Sequence, residues 1–336
     1  MAINIFINGF GRIGRMVLRA LAENPQDSIK IVGINDLAPL DTNLHLLAFD
    51  SIHGRLGFEI EKKDSGFSVK NGSKSLENIL CTSTKDPSEL PLKDLNVDVV
   101  LECTGHFTKK QDAMKLIQAG AKRVLISAPR EDADFTVVYG INHQDLKADH
   151  QIISNGSCTT NCLVPVAHAL HNTVGIEYGY MTTIHAYTGD QRLVDTAHND
   201  LHRARAAAQS MIPTSTGAAK AVSKVLPDLK GKLDGTAIRV PTANVSVVDF
   251  TFTAKKLTSI EEINGCFENA SNGYLKGILG INKLPLVSID FNHQPQSSIA
   301  DLTQTQVIDG KFCRVLSWYD NEWGFSNRMI DVLNIM

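Results

Sequence analysis

Residues 3–8, INIFIN, form a short apolar run, followed at once by GFGRIG. Beyond that, Ile13, Met16, Val17, Ala20 and Leu21 recur at helical spacing. A second apolar run, KIVGIN at 30–35, completes what reads as a βαβ unit. The alternation continues down the chain. VDVVLEC (97–103) predicts a strand, KKQDAMKLIQAGA (109–121) a helix stopped near Gly120, and RVLIS (123–127) and TVVYG (136–140) two more strands. Strands alternating with helices predict a parallel sheet covered on both faces.

The pattern changes after about residue 150. From Ser157 a helix is predicted through Leu163, Val166, Ala167 and Leu170. YGYMTTIHAYT (178–188), TAIRVPTANVSVVDFTFTA (236–254), LVSIDF (286–291) and CRVLSWY (313–319) read as strands. Residues 189–213 are polar and irregular and contain the basic run HRARAA (202–207). The last segment, 322–336, returns to helical spacing through Phe325, Met329, Ile330 and Leu333.

A chain of 336 residues is comfortable for two domains. Its 33 basic and 36 acidic side chains nearly cancel, which argues against nucleic acid or an anionic membrane as the main partner. A small positive pocket for a phosphate is still allowed. Six scattered cysteines, with no C-x-x-C pair and no zinc-like His/Cys spacing, predict neither a disulfide framework nor a metal site. No signal-peptide pattern and no membrane-length apolar stretch is seen, so the expected location is cytoplasmic.

Gly9, Gly11 and Gly14 form G-x-G-x-x-G directly after a predicted strand and at the opening of a helix. In that context the first glycine permits a tight turn and the second lets backbone approach a pyrophosphate. The third lets helix and strand pack closely. The helix N-terminus then offers free N–H groups to the phosphates. Asp36 follows the second strand, where a carboxylate accepts from ribose hydroxyls and repels a 2′-phosphate; NAD is favoured over NADP. Alone, the loop could be a structural turn and Asp36 a solvated loop residue.

SNGSCTTNC (154–162) holds the candidate nucleophile. Cys158 falls at a predicted helix start, which favours a thiolate. His185, 27 residues on in a strand pattern, could activate it. Both also have ordinary structural readings, a buried hydrophobe and a hydrogen-bonded strand histidine, because spacing does not establish contact. Cys162, one turn further, is expected to be buried.

INGFGRIGR, SNGSCTTNC, TTIHAYTGDQR, RARAA, TSTGAAKAV, RVPTANVSVVDFT and WYDNEWGFSNR together resemble, in order and over nearly the whole chain, phosphorylating glyceraldehyde-3-phosphate dehydrogenases. The fold class expected is α/β: an N-terminal Rossmann-type doubly wound sheet plus an α+β catalytic domain with a largely antiparallel sheet. Residues 1–152 are expected to form the NAD-binding domain, completed by the C-terminal helix at about 320–336, and 153–319 the catalytic domain. The resemblance implies oxidation of D-glyceraldehyde 3-phosphate with NAD and inorganic phosphate to 1,3-bisphosphoglycerate, a step of glycolysis and gluconeogenesis. Cys158 would form the hemithioacetal and thioester, and His185 would move the proton. Thr188 and Arg239 would hold the substrate phosphate with Asp190 nearby, and Ser157, Thr159, Thr216 and Gly217 the attacking phosphate. Beside the glycine loop, Arg12 and Ile13 match pyrophosphate contacts, Thr104 and Ser127 the cofactor walls, and Asn321 the carboxamide ligand. Residues 186–206 match an S-shaped loop that packs on a neighbouring subunit's cofactor, which implies a homotetramer.

Some positions depart from the family pattern. Thr196-Ala197 stands where strict NAD users carry Leu-Pro and resembles the dual-cofactor forms; with Asp36 and Leu37 still favouring NAD, NAD preference with incomplete rejection of NADP is expected. Gly156 replaces alanine and would loosen the turn before the nucleophile. His202 replaces arginine, and Phe325 replaces tyrosine. Two rival readings are an erythrose-4-phosphate dehydrogenase, disfavoured by the intact HAYTGDQ, and a non-catalytic thiol redox sensor on the same scaffold.

Overall fold

The computed structural model describes residues 2–72 and 74–336. The chain divides into two compact units: one runs to Val137 and adds His143–Gly156 and Ser326–Met336, the other holds Val138–Asn142 and Ser157–Phe325.

The first unit contains β1 (Ile3–Asn8), α1 (Arg12–Glu23), β2 (Ile29–Asn35), α2 (Leu40–Ala48), β3 (Phe49–Asp50), β4 (Gly54–Arg55), β5 (Glu59–Lys63), β6 (Gly66–Lys70), β7 (Leu76–Thr82), β8 (Val99–Glu102), α3 (Lys110–Gln118), β9 (Arg123–Ile126), β10 (Phe135–Thr136) and β11 (Ile152–Ser154). Nine of these strands form one sheet in the order β10-β11-β9-β8-β1-β2-β7-β6-β5. From β10 to β7 every pairing is parallel; β6 and β5 add an antiparallel edge. The order reverses at β1, with β2 on one side and β8 on the other, and the glycine loop leaves the sheet at that crevice. Phe6, Val100, Leu116 and Val124 pack helix α3 onto the sheet.

The second unit contains α4 (Cys158–Thr173), β12 (Ile176–Ala186), β13 (Ile212–Ser215), α5 (Ala218–Val225), β14 (Leu233–Val240), β15 (Ser246–Ala254), α6 (Ile260–Asn272), β16 (Leu279–Asn282), β17 (Ser298–Ile308) and β18 (Phe312–Tyr319). Helix α7 (Trp323–Leu333) ends the chain. The seven-stranded sheet runs β13-β14-β12-β15-β18-β17-β16, antiparallel except for β12 with β14 and β16 with β17. Leu163, Val166 and Leu170 of α4, with Val222 of α5 and Phe267 of α6, bury one face of it against Met181, Phe250 and Val315. On the opposite face Tyr178, Tyr180 and Ile184 of β12 stay exposed.

Two expectations are corrected. Of the 136–140 region only Thr136 is strand, as the second residue of β10; Val137 and Val138 are buried, but Gly140, at φ 89°, turns the chain away. LVSIDF is not a strand. Ser288–Phe291 is a 3-10 turn, Asp290 Oδ2 accepts the Val287 N–H at 2.9 Å, and Val287 and Ile289 face outward. A local side-chain acceptor takes the backbone group that a ladder would need.

Candidate active site

The glycine loop connects β1 to α1 as the pattern requires. Gly9 has φ 94°, and a Cβ there would lie 2.5 Å from the Thr104 nitrogen. At Gly14 a Cβ would lie 2.2 Å from the Gly9 carbonyl oxygen. At Gly11 it would meet nothing, so open space lies over the N-terminus of α1. Gly11 caps that helix with no side-chain hydrogen bond, so no cap side chain stands between an outside acceptor and the first turn.

A cleft of about 490 Å³ opens here, lined by Gly9, Gly11, Asp36, Leu37, Lys85, Thr104 and neighbours. One Asp36 oxygen accepts the Phe10 N–H at 2.8 Å and the other the Ala38 N–H at 2.9 Å, so this carboxylate also fixes the glycine loop. Arg12 turns its guanidinium away to a two-pronged contact with Asp50. Burial pushes Asp50 up, but Arg12 and the N–H groups of His53 and Ile52 outweigh it and hold the carboxyl at about 2. Arg12 and Ile13 are the first two residues of α1. Ser127 donates its hydroxyl to the Glu102 carbonyl at 2.9 Å. The cleft thus fits a dinucleotide: a cradle with no Cβ, an uncapped helix end and a carboxylate at the ribose position.

In the second unit Cys158 is the first residue of α4, and Ser157 caps that helix by accepting the Thr160 N–H at 3.0 Å. Alternation along β12 turns Met181, Thr183 and His185 toward the helices. Cys158 Sγ lies 3.5 Å from His185 Nε2. Nδ1 of the same ring is 2.6 Å from the Ala186 carbonyl oxygen. Arg239 Nη1, which can only donate, lies 2.9 Å from the same Nδ1, so a carbonyl and a guanidinium compete for this nitrogen; with the proton on Nδ1 the ring turns the Nε2 lone pair to the thiol. Burial and then the Arg239 charge push the imidazole down to about 3. Burial pushes the Cys158 thiol up, and Arg239 is the largest opposing influence.

Arg239 stands beside His185 because β14 runs parallel to β12 with these two residues in register. Its Nη1 donates to the Ala186 carbonyl at 3.0 Å. It is largely buried, no carboxylate among the described residues pairs with it, and its Nε has no partner. Such a guanidinium is a ready anion site.

The hydroxyl-bearing residues divide. Thr159 Oγ1 bonds the Tyr319 hydroxyl at 2.9 Å in the core. Thr216 Oγ1 accepts the Ala218 N–H at 3.3 Å, and Gly217 caps α5 without a side chain. Thr188 donates its N–H to Gln191 Oε1 at 3.3 Å. Asp190 pairs with Arg203 at 2.6 Å. Asn321 Oδ1 accepts from Ser246 Oγ at 2.8 Å, and Ser246 Oγ in turn accepts the Ala186 N–H at 3.0 Å. Gly156 has φ 64°, a conformation that glycine adopts without strain, so it relaxes the turn before α4 where an alanine would not.

Sequence reasoning missed Arg203, whose signal was only the basic run, and Tyr319, whose hydroxyl joins Thr159 to Thr183 at 2.8 Å while its ring stands edge-on to His185. Cys162 is fully buried, with its thiol pushed up to about 12 by burial. No cluster of three or more His, Cys, Asp or Glu suited to a metal occurs among the described residues, and no helix there is long and apolar enough to cross a membrane.

Comparison with known proteins agrees with this geometry. Residues 3–110 match a family described as glyceraldehyde 3-phosphate dehydrogenase, NAD binding domain, and residues 157–321 the C-terminal domain of the same enzyme. Proteins named glyceraldehyde-3-phosphate dehydrogenase from Xanthobacter flavus and Cereibacter sphaeroides are 59% and 57% identical over 331 residues, covering 98% of this chain and 97% of each relative. One from Geobacillus stearothermophilus is 52% identical over 334 residues, 99% of this chain and 97% of its own.

Proposed function

Because this chain belongs to the glyceraldehyde-3-phosphate dehydrogenase family, we propose that Cys158 and His185 carry its chemistry. The protein is an NAD-dependent oxidoreductase of glycolysis that converts D-glyceraldehyde 3-phosphate and inorganic phosphate to 1,3-bisphosphoglycerate. The 3.5 Å approach of Cys158 Sγ to His185 Nε2 carries the assignment of roles.

His185 Nε2 takes the thiol proton, and the Cys158 sulfur attacks the aldehyde carbon to form a hemithioacetal. The Cys158 main-chain N–H, at the head of α4, stabilises the developing oxyanion. His185 returns that proton to the oxyanion, giving the hemithioacetal hydroxyl, and takes it up again as the hemithioacetal is oxidised to a thioester. NAD, held by the glycine loop, the head of α1 at Arg12 and Ile13, Asp36, Thr104 and Ser127, supplies the hydride acceptor, and Asn321 Nδ2 is free to hold its carboxamide. Phosphate attacks the thioester carbon, the C–S bond breaks and Cys158 is regenerated.

Arg239 and Thr188 bind the substrate phosphate, and Asp190 acts by fixing Arg203. The N-termini of α4 and α5, at Ser157, Thr159, Thr216 and Gly217, receive the attacking phosphate. Asp36 favours NAD, while the small exposed pair Thr196-Ala197 lets some NADP bind. The exposed face carrying Tyr178, Tyr180 and Ile184 offers apolar surface to a second subunit, which suits the homotetramer implied by the family resemblance.

The test is NADH formation by freshly reduced protein. Rapid turnover with NAD, dependent on phosphate and faster on the triose phosphate than on erythrose 4-phosphate, is expected. Dominant activity on the tetrose, or none on either aldehyde, would overturn the reading. Sedimentation at working concentration tests the tetramer.

A further inference from the structure

Beneath the cofactor cleft, side chains that the catalytic argument does not use tie four strand ends together. Glu102 ends β8, Asn8 ends β1 and Asn35 ends β2; all three are buried. Thr84, just beyond β7, fixes one end of a chain of hydrogen bonds. Its N–H donates to Asn35 Oδ1 at 2.8 Å, and its carbonyl accepts from Asn35 Nδ2 at 2.9 Å. A backbone N–H and carbonyl cannot exchange roles, so the Asn35 amide has one orientation.

Asn35 Nδ2 also donates to Asn8 Oδ1 at 2.9 Å, which turns Asn8 Nδ2 onto Glu102 Oε2 at 2.6 Å. The other carboxylate oxygen accepts the Thr104 N–H at 2.8 Å and the Thr104 hydroxyl. That hydroxyl oxygen accepts the His106 N–H at 3.0 Å. Asn8, Asn35, Thr84, Thr104 and His106 all line the cleft.

We propose that Glu102 is a positioning residue for cofactor binding: as the acceptor that closes this chain, it sets the donor–acceptor polarity of the wall facing the adenosine half of NAD. The proposal rests on the reading of this cleft as the cofactor site. Three donors converge on Glu102, and a carboxylate accepts all of them. A glutamine of the same shape accepts through one oxygen only, and either orientation of its amide sets an N–H against another N–H. At side chains buried this deeply, such a mismatch reverses or breaks the chain. Burial pushes the Glu102 carboxyl up, and the Thr104 and Asn8 donors oppose it.

The test exchanges the two groups. Glu102→Gln is expected to weaken NAD binding about tenfold or more, raising KM for NAD more than it lowers kcat. Adding Asn8→Asp gives the new amide an acceptor and keeps an acceptor for Asn35. The double variant should then bind NAD within about threefold of the parent, more tightly than either single variant. NAD affinity is read by calorimetry, with a melting curve for each variant. Glu102→Gln with parental NAD affinity and only a lower Tm would overturn the proposal, as would a folded double variant that still binds poorly. If Glu102→Gln does not fold, the double variant alone decides. Parent protein that fails to bind NAD would instead defeat the reading of the cleft.

Discussion

Two helices in this protein begin just beyond the end of a parallel strand, and their first turns differ. Helix α1 follows β1 through Gly9-Phe10-Gly11, its cap contributes no side chain, and a Cβ at Gly11 would meet open space. Helix α4 follows β11 through Asn155-Gly156-Ser157, its cap is the Ser157 hydroxyl, and a thiol occupies its first position. Neither first turn carries an acid. The same partial positive charge is thus used twice. At α1 it is left bare for a phosphate that arrives with the cofactor. At α4 one donor is satisfied internally, and the remaining field acts on a resident sulfur and on the oxyanion that grows from it.

The comparison is sharpest when each end is damaged in turn. Cys158→Ser should lower kcat by at least about a thousandfold while NAD affinity, read by calorimetry, stays within about twofold. If Cys162→Ser removes turnover instead, the nucleophile is misassigned. Gly11→Val fills the open space and should weaken NAD binding by about tenfold or more, leaving iodoacetamide alkylation of Cys158 unchanged. Arg239→Gln removes the cation that lowers the thiol. Alkylation at neutral pH should slow severalfold, and KM for the aldehyde should rise by about tenfold.

A smaller effect concerns acid stability. His185 titrates near 3 in the folded protein against 6.5 when free. Between those values the unfolded chain binds the extra proton, so stability falls as pH drops from 6.5 toward 3. Urea unfolding against pH should show a flatter acid limb for His185→Gln. The smallest change is at the turn before α4: Gly156→Ala should cost about 1 kcal/mol, since alanine strains at φ 64°.

Much of this was legible in the chain. Period-2 and period-3.6 patterns marked β1, α1, β2, β8, α3, β9, α4, β12 and β18, because each buries a clear face or a continuous run. Helices α2, α5 and α6, and the edge strands β5 and β6, were not marked; their apolar stripes are short or their surfaces half-solvated. The glycine loop and Cys158 announced themselves by local chemistry. Arg239 beside His185 did not, since that contact comes from strand register, which no local window contains. The same holds for the partnership of Asn8, Asn35 and Glu102, which lie in separate strands and meet only when the sheet is assembled.

The side-by-side placement of His185 and Arg239 has a further consequence. Their strands are joined by a long excursion from Ala186 to Leu233, so nothing nearby in the chain measures one against the other. Lengthening or shortening that excursion leaves the partnership intact, provided the ladder re-forms. Deleting a single residue within β14 swings the guanidinium to the other face and brings Ile238 or Val240 in its place, and a deletion within β12 does the same to the imidazole. The register of base and cation is therefore set by a few rungs of backbone, while the excursion between them is constrained instead by Thr188, Asp190, Thr216 and Gly217 and by the packing of β13 and α5.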